Sequence, residues 1–492
     1  MLENIKEVEQ PKLVVNFDAD AGILPPEAEG MIEDAHAQGE ELVRVVEAGT
    51  VPTVWRWQPL VFVGPSSHAM TVSRLLCVEV SRVRATLLAD GPQMSTVGRA
   101  EGERLERGKG PGMELELTSD QEMFASTTRK FLDERVPASE LRARRDDPVG
   151  FDRAYWAEGA DLGWTSLLVS EADGGGSISD RSYCDIALLG YEFGRRAAPG
   201  PLAETNVVAG AISRLGTDAQ KAAVLPGILS GEVLAGWCAA EPRPHDRLGV
   251  VTLQATPRGG GFELNGRKQP VESADQAGWF LVVAKTPEGL SQLLVAADAP
   301  GVTISPMGGV DLSRRFGTVS FDGVVVDETA VLGELGEAEP EIECQLHGAL
   351  VIELAQMVGA IEAAFDMTVE WAFNRYSFGR PLASYQALKH RFADMKLWLE
   401  TSHALADDAA RAVQDDMADA AEIVSAAKAF VSAKGPEVLQ ECVQLHGGIG
   451  VTFDHDLHLF LRRVVLGAQL FGTVADHRER LVQILEQKEV HA

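Results

Sequence analysis

The sequence predicts an α+β protein in which a helical segment, a small antiparallel β domain and a second, bundle-forming helical segment follow one another. Three observations predict that order. Apolar residues recur at helical spacing over residues 113–230; short alternating runs bounded by Gly and Pro replace them over 231–338; long helical periods return over 339–492. Residues 1–112 share none of these patterns and stand as an unassigned extension.

The first segment opens on a helix start. Thr118 and Gln121 have capping-box spacing ahead of Met123, Phe124, Phe131 and Leu132. Further helices are expected over Ser182–Arg195 and Ala219–Leu229, with a Gly-rich loop at Asp173–Ser177. In the second segment, Asn265-Gly266 within GFELNGRK reads as a hairpin turn. Trp279–Ala284 and Gln292–Ala296 read as strands, and Val319–Val326 alternates around Asp322-Gly323. In the third, Leu350–Asn374, Ser384–Val413 and Ala420–Leu445 are long and carry Ala-rich faces, which predicts close packing in a four-helix bundle. The extension holds a β-like, partly helical stretch, Thr71–Leu88, and ends in a charged Gly-rich run, Gly98–Gly112, that reads as a linker.

Composition narrows the function. A net charge of −29 argues against nucleic acid, which needs a basic footprint. The five cysteines form no CxxC pair, so neither a disulfide framework nor a structural zinc site is expected, and a cytoplasmic setting fits. No long apolar run suggests a membrane span, and the N-terminus lacks the pattern of a signal peptide. His390 and His446 are expected to be structural, with no metal.

Four stretches carry a family resemblance. LGWTSLLVSEADGGGS (Leu162–Ser177) resembles "GW..L..PE..GG.G", and YEFGR (Tyr191–Arg195) resembles "EELGR". RYSFGRPLASYQALKHRFADM (Arg375–Met395) is close to "R.QFG.PI..FQ..KH.LADM", and QLHGGIGVTFDHDLHLFLRR (Gln444–Arg463) is similar to "Q.HGG.G...E..L....R". These are patterns of the acyl-CoA dehydrogenases, FAD-dependent enzymes that desaturate fatty or steroid acyl thioesters. About three-quarters of the chain resembles that family, whose middle domain is an antiparallel β-barrel. The resemblance implies FAD, an acyl-CoA substrate and an electron acceptor such as electron-transfer flavoprotein. By position, Arg375 and Phe378 would reach a neighbouring subunit's FAD, with Gln386, Gln444, Gly447 and Gly448 bordering its adenosine end. A guanidinium fork suits a pyrophosphate, and glycine lets backbone approach a cofactor closely.

The chain departs from the family where chemistry occurs. The reaction needs a base for the α-proton and donors around the thioester oxygen. One usual base position reads LFGT and holds Phe471; the other holds Ala349. Glu353, one helical turn beyond Ala349, is the candidate substitute, beside a helix-packing role. The flavin-contacting "TEP.AGSD" appears as AAEPRPHDRLG (Ala239–Gly249), and "K.WIT" as KQPVES (Lys268–Ser273), where Pro270 removes a backbone donor.

Motifs facing a neighbour's FAD are intact, whereas those for the chain's own flavin and base are weak. This asymmetry resembles bacterial sterol side-chain dehydrogenases built from two related subunits. It leads to a dehydrogenase subunit that completes a homologous partner's FAD site. A homo-oligomer with a displaced base, a non-catalytic structural subunit, and another flavin reaction are the alternatives. Met113 opens a stretch resembling an ordinary family N-terminus, so 1–112 is either an upstream fusion or a mis-assigned start.

Overall fold

A computed structural model describes residues 117–242 and 251–491. The extension 1–112, with Thr71–Leu88 and the Gly98–Gly112 run, lies outside the described residues, as does most of the Ala239–Gly249 motif.

The first segment is helical: α1 (Ser119–Arg135), α2 (Ala138–Ala143), α3 (Arg153–Asp161), α4 (Ser182–Arg196), α5 (Leu202–Leu215) and α6 (Asp218–Leu229). The expected capping box forms at α1. Thr118 Oγ1 accepts from the Gln121 N–H at 3.2 Å, and Gln121 Oε1 accepts from the Thr118 N–H at 3.0 Å. Its core is aromatic, with Trp164 edge-on to Phe193 at 4.8 Å between ring centres.

Eight strands follow: β1 (Leu234–Cys238), β2 (Gln254–Pro257), β3 (Gly261–Glu272), β4 (Ala277–Lys285), β5 (Leu290–Ala296), β6 (Val302–Met307), β7 (Phe316–Asp327) and β8 (Val331–Leu332). They form one sheet in the order β6-β7-β3-β2-β4-β5-β8, with β1 on β4. Two expectations change here. Asn265-Gly266 is not a hairpin turn but lies inside the continuous strand β3, where the register to β7 shifts between Leu264 and Gly266. The glycine serves a bulge: its φ is 149°, and an added Cβ would sit 2.9 Å from Leu253. The sheet is also not wholly antiparallel, because β1 and β2 run parallel to β4.

The last segment contains α7 (Glu339–Asn374), a small ladder of β9 (Tyr376–Ser377) and β10 (Arg380–Pro381), then α8 (Gln386–Gln414), α9 (Ala420–His446), α10 (Leu457–Gly467) and α11 (Val474–His491). Helices α7, α8 and α9 pack on one another as the bundle core. By length and composition α7 could cross a membrane, yet 94% of its most apolar window is buried inside the protein; it is the central core helix.

Helices α4 and α7 touch backbone to backbone. A Cβ on Gly194 would lie 2.0 Å from the Gln356 carbonyl oxygen, and one on Gly359 would lie 2.2 Å from that of Tyr191. Only glycine permits this approach, which fixes the depth at which α7 presents Glu353 and Gln356. Gly194→Ala is therefore expected to force the helices apart and cost about 2 kcal/mol, read as a lowered thermal midpoint with retained helical content.

Candidate active site and cofactor face

Where the three segments meet lies a cavity of about 370 Å³. The sheet supplies Trp237, Ala239, Gln269 and Pro270; α7 supplies Ile342 and Leu346; the end of α10 and the loop after it supply Leu466, Leu470 and Phe471. Its ionisable lining residues among those described are all acidic: Glu204, Glu241, Glu339 and Glu343. A volume of this size with mainly apolar walls is ordinary for a small-molecule site.

Phe471 stands in the cavity wall in a left-handed conformation, φ 55°, which is costly for a bulky side chain. Its ring lies 6.0 Å from that of Trp237. Behind it, buried His477 places Nε2 2.9 Å from the Phe471 carbonyl oxygen, so that nitrogen donates. The geometry confirms that no carboxylate projects from position 471. Ala349 is fully buried in the core and likewise offers no base.

Glu353 does not reach the cavity. It is 0% exposed, and both its oxygens accept from Arg314 Nη1, at 3.1 and 3.0 Å. The same guanidinium grips Glu272 on β3 through Nε and Nη2, each at 2.7 Å. The Glu272 N–H in turn donates to Glu204 Oε1 at 2.8 Å, and the Trp237 N–H donates to Glu204 Oε2 at 3.1 Å. Glu204 thus connects the cavity wall to a buried ionic chain running to Glu353. Among the described residues it has no salt-bridge partner, and burial, reinforced by the charge on Glu272, pushes its carboxyl well above the usual range.

Glu204, Trp237, Glu272 and Arg314 were not singled out in the sequence. The available signal was an acidic residue within an apolar helix (LAETNVV); Glu272, at the end of the polar strand GFELNGRKQPVE, carried none.

The six residues expected to face FAD sit elsewhere, on the surface of the bundle. Arg375, Phe378, Gln386, Gln444, Gly447 and Gly448 are all exposed, Phe378 by 97%. Phe378 and Gly379 form the tip between β9 and β10, both with positive φ (51° and 80°). Arg375 lies over the Trp371 ring, and that ring stacks on His446 at 5.2 Å. One continuous path therefore joins Arg375 to the glycine turn. A Cβ on Gly447 or Gly448 would meet nothing within 4 Å, so this backbone is open to an approaching ligand. FAD fits this face: a guanidinium for phosphate, an aromatic tip for stacking, and bare backbone. Tyr376, Ile449 and Val451 add exposed apolar surface beside it. Toward a flavin ring the cavity offers less, because Pro270 has no N–H and no cation lines the described wall. Among the described residues no cluster of His, Cys, Asp or Glu could hold a metal ion.

Burial lowers the His477 imidazole to a pKa of about 4, against about 6.5 when free. As pH falls from 6.5, the unfolded chain takes this proton before the folded one. Stability from the neutral ring is complete above pH 6.5 and is lost toward pH 4, by on the order of 2–3 kcal/mol. His477→Gln keeps a donor for the Phe471 carbonyl, and denaturant titrations across that range are expected to show a flatter dependence.

Three family descriptions match the chain in sequence: acyl-CoA dehydrogenase N-terminal domain over 118–232, middle domain over 240–324, and C-terminal domain over 347–485. Benzylmalonyl-CoA dehydrogenase of Aromatoleum aromaticum is 26% identical over 387 residues, 77% of this chain and 100% of that protein. The Tcur3481–Tcur3483 steroid ACAD structure is 27% identical with a TM-score of 0.68, covering 75% of this chain and 98% of that one. The ChsE4–ChsE5 complex of Mycobacterium tuberculosis shares the fold at 24% identity and a TM-score of 0.69, covering 76% and 99%. The three matches follow the order of the chain's three segments and together cover more than half of it: the chain belongs to the acyl-CoA dehydrogenase family of FAD-dependent oxidoreductases, which dehydrogenate acyl-CoA thioesters.

Proposed function

We propose that this chain is one of two different, homologous subunits of a dehydrogenase acting on a fatty or steroid acyl-CoA, and that its bundle face completes its partner's FAD site. One contrast carries the reading. The FAD-facing residues lie together on the outside of the bundle, where a second subunit can reach them, while the cavity holds Phe471 at a position where the family carries its base. The steroid ACAD and the ChsE4–ChsE5 complex support it by likeness.

In this reading Arg375 holds phosphate across the interface and Phe378 packs against the dinucleotide. The Gly447-Gly448 turn lets the adenosine end settle on backbone. FAD bound there would supply the acceptor for the β-carbon hydride, and electron-transfer flavoprotein would be the kind of partner that reoxidises it. The α-proton goes to a base on the partner. Glu353 is a buried ion-pair member that holds Arg314, not the base.

Co-expression with a homologous acyl-CoA dehydrogenase subunit from the same organism tests the reading. The pair is expected to purify yellow, with FAD bound, whereas full FAD occupancy and turnover by the isolated chain would sink the proposal. The Arg375→Ala/Phe378→Ala double variant is expected to weaken FAD retention by the pair about tenfold or more. Because both side chains are exposed, it is expected to change the isolated chain's stability by less than about 0.5 kcal/mol.

A further inference from the structure

The exposed cofactor face rests on buried histidine. His446, the last residue of α9, is 5% exposed. Its ring stacks on Trp371, which carries Arg375, and His455 meets it edge-on with 4.5 Å between ring centres. The glycine turn folds back onto the same residue: a Cβ on Gly450 would lie 2.9 Å from His446 Cβ. Arg375 and the turn therefore share one support.

Hydrogen bonds assign the protons of both rings. His446 Nδ1 lies 2.8 Å from the Cys442 carbonyl oxygen and so donates, while its buried Nε2 finds no hydrogen-bond partner among the described residues. His455 Nδ1 accepts the N–H of Leu457, the first residue of α10, at 3.2 Å. Both arrangements require a neutral imidazole. A second proton on His446 would sit on a buried nitrogen with no acceptor. A proton on His455 Nδ1 would displace the Leu457 N–H and set a cation at a helix N-terminus.

The charges that bear on these rings do not favour the cation. Arg142 on α2 faces His455, and His458, itself facing Arg142 and Arg462, is the other neighbouring imidazole. Arg375 on α7 reaches His446 through Trp371. Of the two carboxylates flanking His455, Asp456 is paired with Arg142 and Asp454 is exposed; Glu441 on α9 is paired with Arg391. Burial lowers the proton affinity of His446 and His455, and each ring, or Arg142 beside His455, lowers it further. As pH falls, an opened segment with free imidazoles near 6.5 takes protons before the closed one does. The support is complete above about pH 6.5 and is withdrawn below it.

We propose that His446 and His455 are positioning residues that hold Arg375 and the glycine turn in place only while both rings are neutral, so that the cofactor face is a proton-sensitive clasp. The proposal rests on the reading that this face holds a partner's FAD and adds its regulation.

Two measurements test it. Hydrogen exchange of the isolated full chain, corrected for the intrinsic effect of pH, is expected to show protection over 447–458 about tenfold lower at about pH 5.5 than at about pH 8, while α7 stays protected; one unit of pKa displacement gives that factor. In the co-expressed pair, the Kd for FAD is expected to rise by about the same factor over that range. His455→Asn keeps an acceptor for the Leu457 N–H but does not titrate, and His446→Phe keeps a ring on Trp371. The double variant is expected to hold both ratios within about threefold. If it fails to fold, His455→Asn alone is expected to lessen both ratios. Protection independent of pH in the natural chain, a fall that survives these substitutions, or a loss in which α7 exchanges as well, overturns the inference and leaves the partner-FAD reading intact. A pair that retains no FAD at any pH counts against that reading, and the exchange profile of the isolated chain then decides the inference by itself.

Discussion

Two buried guanidinium groups hold the three segments of this protein in register. Arg463 on α10 donates through Nε to Asp311 at 2.6 Å and through Nη1 to Gln356 on α7 at 3.1 Å. Its Nη2 donates to the carbonyls of Ala197 and Ala198, just beyond α4, and to Ser313 Oγ. Arg314 ties β3 to α7 through Glu272 and Glu353. Charges this deep are tolerated only when paired and hydrogen-bonded, and removing one partner of such a pair typically costs about 3–5 kcal/mol. The interactions therefore specify one arrangement of helices on sheet more than they add net stability.

The cavity is a consequence of that junction. Glu204 and Trp237 line it because Glu272 is locked behind them, and Glu272 is locked because Arg314 is. A Cβ on Gly467 would lie 2.6 Å from Glu353 Oε1, so the end of α10 closes directly over the ionic chain. The loop that follows carries Leu470 and Phe471 into the wall. His477 is bonded to the backbone of this loop at Phe471, which holds the ring in the wall.

The outer face obeys a different constraint. Phe378, Tyr376 and Val451 are large apolar side chains left in solvent on the described chain, and Phe378 holds a positive φ at an exposed tip. Nothing within the described chain rewards this arrangement. In the proposed assembly, a partner surface and a dinucleotide would cover it.

The sequence by itself determined the order of segments, the α1 capping box and the long bundle helices, because each rests on local periodicity or on contiguous residues. It also showed that positions 349 and 471 hold no acid. It misjudged Asn265-Gly266, where a glycine bulge within one long strand looks locally like a turn, and it could not reveal the parallel pairing of β1 with β4. Only the tertiary structure decided the role of Glu353. One helical turn from the family's base position, it looked available for catalysis, but Arg314, 39 residues earlier in the chain, takes both its oxygens. Glu204, Trp237 and Glu272 were invisible for the same reason. Their chemistry depends on partners distant in sequence, and burial, which sets both the pairing and the proton affinity of a carboxyl group, exists only once the segments have packed together.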